Sequence, residues 1–219
     1  MTNGIAYRKM FVRLRKEIVN SGLDVDLRKT AKFLTPLQLK EMLDRKEEVI
    51  MVDMRNDYEA KIGKFKDAVV LPMRNFRELP NAVSEIGHLK EKRIVVYCTG
   101  GIRCEKASAY LNEIGFKDVS QIKGGILKYG EEFPDTYWEG KCFVFDDRLA
   151  VQINKFKTDP LAECIWCYNK CDDYLNCHNL DCDKLFVCCK ECKEKHDKSC
   201  CVDCEIAPKR RKEITAETD

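Results

Sequence analysis

Apolar positions recur along the first two thirds of this chain in two alternating rhythms. The stretch TPLQLKEMLDRK (35–46) places Leu37, Leu39, Met42 and Leu43 at helical spacing. A threonine N-cap and a proline at the first helical position precede them, so the spacing predicts a helix. VIMVDMR (49–55) is an apolar run that predicts a buried strand ending in Asp53 and Arg55. NDYEAKIGKFKDAVVLPM predicts a short polar helix, a glycine turn and another short strand, and NFRELPNAVSEIG a loop and helix. RIVVYC (93–98) is β-branched and aromatic and predicts a strand, with a helix over 104–114 after a glycine loop. DVSQIKGG predicts a last short strand and a Gly-Gly turn, and ILKYGEEF begins another helix. Strands alternating with helices from 35 to 133 predict an α/β fold with a parallel sheet flanked by helices. Upstream, KMFVRLRKEIV (9–19) alternates charged and apolar residues and predicts a strand at an edge or surface, followed by a connector over 20–33.

The rhythm fades after about residue 140. KCFVFDDRLAV reads as extended and leads into a connector. From Cys164 onward there are too few large apolar residues to build a core, so the segment needs staples. The expected organisation is a strand and connector over 1–33, the α/β domain over 34–140, a connector over 141–163, a cysteine-rich segment over 164–208 and a polar tail over 209–219.

The staples are visible in the composition. Of 14 cysteines, eleven fall between Cys164 and Cys204; the others are Cys98, Cys104 and Cys142. No window of about twenty apolar residues exists to span a membrane. The N-terminus lacks the apolar core of a signal peptide, and a cytoplasmic protein is expected. In a reducing compartment such a cluster points to metal rather than disulfides. Four pairs stand out: Cys164/Cys167, Cys177/Cys182, Cys189/Cys192 and Cys201/Cys204. Four pairs make two tetrahedral Cys₄ sites, the usual closed arrangement of structural zinc. Sequential, nested and interleaved pairings are all open; the interleaved one is preferred because it staples the whole segment. Cys171, Cys188 and Cys200 are left over, and Cys188 and Cys200 precede ligand candidates and could replace them. A disulfide framework, iron–sulfur ligation, a metal-free segment, or ligation by His178 or His196 are the competing readings.

The chemistry concentrates in CTGGIRC (98–104). Active sites of parallel α/β sheets form beyond the carboxyl ends of strands, which is where Cys98 stands. Gly100 and Gly101 let the backbone curl around the sulfur. The next helix brings its N-terminus to the same space, and free amides there favour an anion. Such surroundings lower a cysteine pKa from about 8.5 toward neutrality. Arg103 adds a positive charge. The loop suits a thiolate or a persulfide formed on it. Cys104 reads equally as a small first-turn residue or as a resolving thiol. Thr99, Gly100, Gly101 and Ile102 are substrate-binding candidates.

VDMRNDYEAKIGKFKDAVVLP resembles the rhodanese pattern of Asp-x-Arg, a Glu, then Gly-x-x-x-x-Ala, and YCTGGIRC resembles the rhodanese active loop, whose first cysteine carries a persulfide. On that resemblance Cys98 is the nucleophile, Asp53 and Arg55 match structural and pocket-rim positions and so join the substrate-binding candidates, and Cys104 stands where many rhodaneses have serine or threonine. CTGGIRCEKASAYL, NDYEAKIGKFKDAV, KGGILKYG, GKCFVFDDRLAV, KMFVRLRKEIV and YLNCHNLDCDKLFVCCKECKEKHDKSCCVDC together resemble the tRNA uridine hydroxylase family of rhodanese-like proteins, over roughly residues 7–208. The resemblance implies oxidation of the wobble uridine of certain tRNAs to 5-hydroxyuridine with molecular oxygen as co-substrate. Beside that oxygen, the cysteine spacing gives two structural zinc ions as the expected cofactors, and no nucleotide cofactor is evident. The resemblance also implies a ferredoxin-like domain before the basic strand, of which residues 1–33 read as the remnant.

Charge adds little. Lys+Arg total 39 against 37 Asp+Glu, so there is no global polyanion signature. Local clusters at 8–16 and 209–212 are candidate phosphate contacts. An anticodon-loop target needs an unstacked base beside Cys98 and aromatics to receive it; Tyr97, Phe76 and Tyr129 are candidates by proximity. A sulfurtransferase passing sulfane sulfur through a Cys98 persulfide is the alternative, and a non-catalytic zinc-stabilised module a third. Oligomeric state is not readable.

Overall fold

The computed structural model describes residues 12–15, 17–146, 148–156 and 158–211. The chain divides into two compact units, one running to Thr158 and the other from Asp159.

The elements of the first unit are β1 (Lys32–Leu34), α1 (Pro36–Asp44), β2 (Ile50–Asp53), α2 (Asp57–Lys61), β3 (Gly63–Phe65), β4 (Val69–Val70), α3 (Leu79–Ala82), β5 (Arg93–Tyr97), α4 (Ile102–Glu113), β6 (Asp118–Ile122), α5 (Gly125–Glu132), β7 (Trp138–Phe143) and β8 (Ala150–Gln152). Five of the strands form one parallel sheet in the order β1-β6-β5-β2-β4. The strand–helix alternation demanded this: parallel neighbours need a crossover, and helices supply it. α1 begins as expected. Thr35 Oγ1 accepts from the Gln38 amide at 3.2 Å and Gln38 Oε1 accepts from the Thr35 amide at 2.9 Å, closing a capping box around Pro36.

Alternation along β5 sends Ile94 and Val96 to one face and Val95 and Tyr97 to the other. The first face packs under α3 and α4 with Val52, Leu79, Ala107 and Leu111; the second packs under α1 and α5 with Leu39, Ile126, Tyr129 and Trp138. Both faces are covered, as a parallel sheet requires.

Three expectations change. Residues 20–33 are not merely a connector: β1 forms a sheet edge beside β6. Three residues are too few to show a period. The segment KCFVFDDRLAV is part of the first unit, because β7 pairs antiparallel with β3 and β8 in a second, three-stranded sheet. Of the strand expected over 9–19, residues 9–11 and 16 lie outside the described residues. Residues 12–15 and 17–19 are not strand, and Val12 and Leu14 are exposed rather than set against a sheet.

Asp53 and Arg55 tie the two sheets together. Both are fully buried. Arg55 Nε and Nη2 donate to Asp53 at 2.9 and 2.6 Å, Nη2 also donates to the Gly63 carbonyl at 2.7 Å, and the guanidinium lies 5.2 Å from the Trp138 ring centre. Burial opposes the arginine's charge; Asp53 outweighs it and raises the pKa. Arg55→Ala leaves the Asp53 carboxylate buried without its cation. That substitution is expected to cost about 3–5 kcal/mol, read as a fall in the urea midpoint. A change under about 1 kcal/mol would contradict the strut.

In the second unit, β9 (Tyr174–Asn176) and β10 (Leu185–Val187) form an antiparallel hairpin, followed by short helices α6 (Lys190–Lys195) and α7 (Val202–Glu205). Its largest buried apolar side chains are Tyr174, Phe186 and Val187; apart from Ser199, the other buried residues described there are cysteines.

Candidate active site

The loop between β5 and α4 places Cys98 at the carboxyl end of the central strand, 2% exposed. Gly101 adopts φ +94° and caps α4. Its amide donates to Cys98 Sγ at 3.2 Å. From outside, α5 holds the loop: the Ile126 and Leu127 amides donate to the carbonyls of Cys98 and Thr99 at 3.0 and 3.1 Å. That approach needs Gly125. A Cβ there would stand 2.3 Å from the Cys98 oxygen, and its φ of +63° already disfavours a side chain. The KGG that ends one motif thus shapes the loop of another.

The Cys98 thiol is lowered to about 6. The hydrogen bond from Cys104 is the largest cause and works against burial; the Arg103 charge and the amides of Cys104 and Arg103 add to it. Cys104 is fully buried, and burial together with the Cys98 anion raises its own pKa well above the usual value. The two thiols therefore divide into an anion and a protonated donor. Burial likewise pushes Cys142 up to about 11. The Arg103 side chain supports the anion by charge rather than by a bond to sulfur. Its guanidinium donates to both carboxylate oxygens of the buried Glu59, at 2.5 and 2.9 Å, and reaches Thr99 Oγ1 at 3.4 Å.

A depressed pKa means thiolate is present at lower pH than for an ordinary cysteine. Alkylation of Cys98 by iodoacetamide is expected to rise between about pH 5 and 7 and then level off. Cys104→Ala removes the largest stabilising bond and is expected to move that midpoint upward. A wild-type profile still climbing at pH 8.5 would contradict the thiolate.

Beside the sulfur opens a pocket of about 440 Å³ lined by residues that include Asn56, Phe76, Thr99, Gly100, Ile102, Arg103 and Phe145. Of the expected substrate-binding residues, Thr99, Gly100 and Ile102 line it, while Gly101 shapes the loop. Asp53 and Arg55 do not line it: they are sealed beneath as the strut. Tyr97 and Tyr129 are buried on the far face with Phe65 and Trp138 and offer no ring to this pocket. Phe76 reaches the pocket but is 6% exposed. The side chains that periodicity did not single out are Asn56, Glu59 and Phe145. Glu59 was visible as the glutamate of the Asp-x-Arg pattern; Phe145 follows the last paired residue of β7, where strand parity no longer says which way a side chain faces.

In the second unit the cysteines gather into two groups of four whose sulfurs all lie within 4.8 Å of one another: Cys164, Cys167, Cys189 and Cys192, and Cys177, Cys182, Cys200 and Cys204. The pairing is the interleaved one. Cys200, not Cys201, completes the second group; Cys201 is exposed, with its sulfur 4.0 Å from that of Cys200. Cys200 precedes α7, whose N-cap Cys201 has extended backbone (φ −161°, ψ 168°); successive side chains there point to opposite sides, so Cys200 turns inward with Cys204 and Cys201 outward, where the C-x-x-C pattern favoured Cys201. Sulfur separations of 3.7 Å (Cys167–Cys189, Cys182–Cys200) and 3.8 Å (Cys200–Cys204) match the edge of roughly 3.8 Å that tetrahedral Zn–S bonds of about 2.3 Å impose. The donor set fits zinc. His196 is not among these ligands: its ring stacks on Trp166 at 3.6 Å and its Nδ1 pairs with Glu205 at 2.6 Å. In the 209–212 cluster, Lys209, Arg210 and Arg211 pair with Asp181, Asp197 and Asp183.

A thiolate cradled at the end of a central parallel strand, with both sheet faces covered by helices, defines a rhodanese-like domain. Residues 35–132 match the family described as Rhodanese-like domain, and residues 139–205 the one described as Rhodanase C-terminal. A protein of Cytophaga hutchinsonii named tRNA uridine(34) hydroxylase is 43% identical over 210 residues, covering 95% of this chain and 67% of that protein. One of the same name from Chlamydia abortus is 43% identical over 210 residues, covering 94% of this chain and 64% of that protein. The solved Rhodanese-like Domain Protein from Staphylococcus aureus is 28% identical with a TM-score of 0.39, covering 45% of this chain and 90% of that one. The chain belongs to the tRNA uridine(34) hydroxylase family, and spans about two thirds of the length of the curated relatives it matches.

Proposed function

We propose that this chain carries the catalytic part of a cytoplasmic, oxygen-dependent tRNA-modifying oxidoreductase that converts the wobble uridine of the anticodon loop to 5-hydroxyuridine. The observation that carries this reading is the identity of 43% over 95% of the chain to a protein named for that activity; the Cys98 thiolate at the edge of an open pocket supports it. Cys98 is the essential thiol. Gly101, Cys104 and Arg103 hold its negative charge. Thr99, Gly100 and Ile102 form the wall against which substrate lies. Inserting one atom of O₂ into the C5–H bond leaves the other to be reduced to water, with two electrons from an external donor. The two Cys₄ groups hold structural zinc.

Purified protein is expected to form 5-hydroxyuridine in tRNA taken from cells lacking the modification, with ¹⁸O incorporated from ¹⁸O₂, read by nucleoside mass spectrometry. The rhodanese loop itself favours one second reading, transfer of sulfane sulfur through a Cys98 persulfide. Thiocyanate formation from thiosulfate and cyanide, without any new nucleoside, would select it.

A further inference from the structure

One wall of the pocket is not explained by the thiolate or its loop. Phe145 lies at the rim and is 59% exposed. Single exposed aromatics are common, but this one is braced. Its ring meets Phe143 edge-on at 5.2 Å, and Phe143 meets Tyr58 at 5.4 Å. The Arg103 guanidinium lies 5.9 Å from its centre. A ring held from behind, bare over more than half its surface and beside a reactive sulfur, is a platform for something flat.

Asn56 supplies an independent observation. It is 8% exposed and lines the same pocket. Its Nδ2 donates to the Tyr58 hydroxyl at 2.7 Å, while its Oδ1 is buried and faces the Glu59 amide of the α2 capping box without completing a hydrogen bond to it. A buried acceptor without a donor is costly and rare, and a ligand bearing an N–H removes that cost.

We infer that the pocket is a subsite for one unstacked pyrimidine base, laid on the face of Phe145 with its N3–H directed to Asn56 Oδ1. This deepens, and rests on, the reading of an RNA substrate. A base still stacked in an anticodon loop cannot bring its C5 to a cysteine that is only 2% exposed; it must leave the stack, and an aromatic ring restores the stacking it gives up. The acceptor distinguishes the two pyrimidines: uracil donates from N3, whereas cytosine presents a lone pair there. Oδ1 is closed to solvent without ligand, so its engagement accompanies a small shift of the rim. Phe145 is thus a positioning residue.

The test is a coupling measurement. Labelled anticodon stem-loops carrying uridine, cytidine or an abasic residue at the wobble position are titrated with wild type, Phe145→Ala, Phe145→Tyr and Phe145→Leu. Removing the base is expected to weaken wild-type binding by roughly 5- to 100-fold. Phe145→Ala should weaken the uridine RNA by a similar factor and leave the abasic RNA nearly unaffected. Tyrosine should restore binding and leucine should not. Cytidine should bind wild type about tenfold or more weakly than uridine. The Cys98 alkylation midpoint should stay in place in all variants, which certifies the fold. Independent losses, or leucine serving as well as tyrosine, would overturn the stacking; equal affinity for cytidine would remove Asn56. The same wild-type protein is assayed for 5-hydroxyuridine. Coupling without that product retains the subsite and rejects the reaction. Product without coupling does the reverse. Binding to none of the RNAs overturns both.

Discussion

Cys98→Ser is expected to reduce 5-hydroxyuridine formation to background, a loss of roughly 10³-fold or more, the scale on which removal of a reacting nucleophile is felt. The argument is the pKa. In the wild type a thiolate exists at neutral pH because Cys104, Arg103 and the loop amides hold it there. A serine hydroxyl in the same cradle stays protonated and carries no sulfane sulfur. The fold should tolerate the change, since oxygen is smaller than sulfur and still accepts from the Gly101 amide. An unchanged denaturation midpoint beside lost activity would place the effect in chemistry. Cys104→Ala offers a graded comparison: it keeps the nucleophile, raises its pKa, and should lose activity most at low pH. If Cys98→Ser retained both product formation and thiocyanate formation, the nucleophile assignment would be wrong.

Stripping metal is expected to unfold the second unit while leaving the first folded. Structural zinc contributes apparent binding free energies of about 10–16 kcal/mol per site. Tyr174, Phe186 and Val187 together bury far less than that at roughly 1.5–3 kcal/mol each. The purified protein should contain two zinc ions per chain. After treatment with a strong chelator, limited proteolysis should cut throughout 159–211 and spare the domain that ends near Thr158. Cys192→Ser should leave one ion, in the Cys177/Cys182/Cys200/Cys204 group, and Cys201→Ser should leave two. Retention of a protease-resistant second unit without metal would contradict the stapling argument.

The parts of this architecture legible in the sequence were those with a period or a cap. The helix behind Thr35 and Pro36, the strands at 50–53 and 94–97 and the loop at Cys98 each carried a local signal strong enough to locate them. The interleaved pairing was legible as a preference, because stapling a segment with so small a core favours ligands that span it. What escaped was set by distant partners. β1 and β3 are three residues each, and only their neighbours in the sheets make them strands. Asp53 and Arg55 matched structural and pocket-rim positions by resemblance and were counted with the substrate-binding residues; their burial depends on Gly63, Tyr97 and Trp138 closing around them. The choice of Cys200 over Cys201 turns on the extended backbone just ahead of α7, to which C-x-x-C spacing is blind. Phe145 stood in an extended run like any other apolar residue, and only the pocket shows why it remains bare.

The two interleaved groups have a topological consequence. The first closes a loop from Cys164 to Cys192 and the second a loop from Cys177 to Cys204, so the loops overlap. Had the pairs joined in sequential order, a single break in the hairpin after Cys182 would release two self-contained halves. Here the same break leaves Cys164, Cys167, Cys177 and Cys182 on one fragment and the remaining four ligands on the other. An ion held in either group would bridge the cut, and the nicked, metal-loaded chain would behave as two strands spliced at two points.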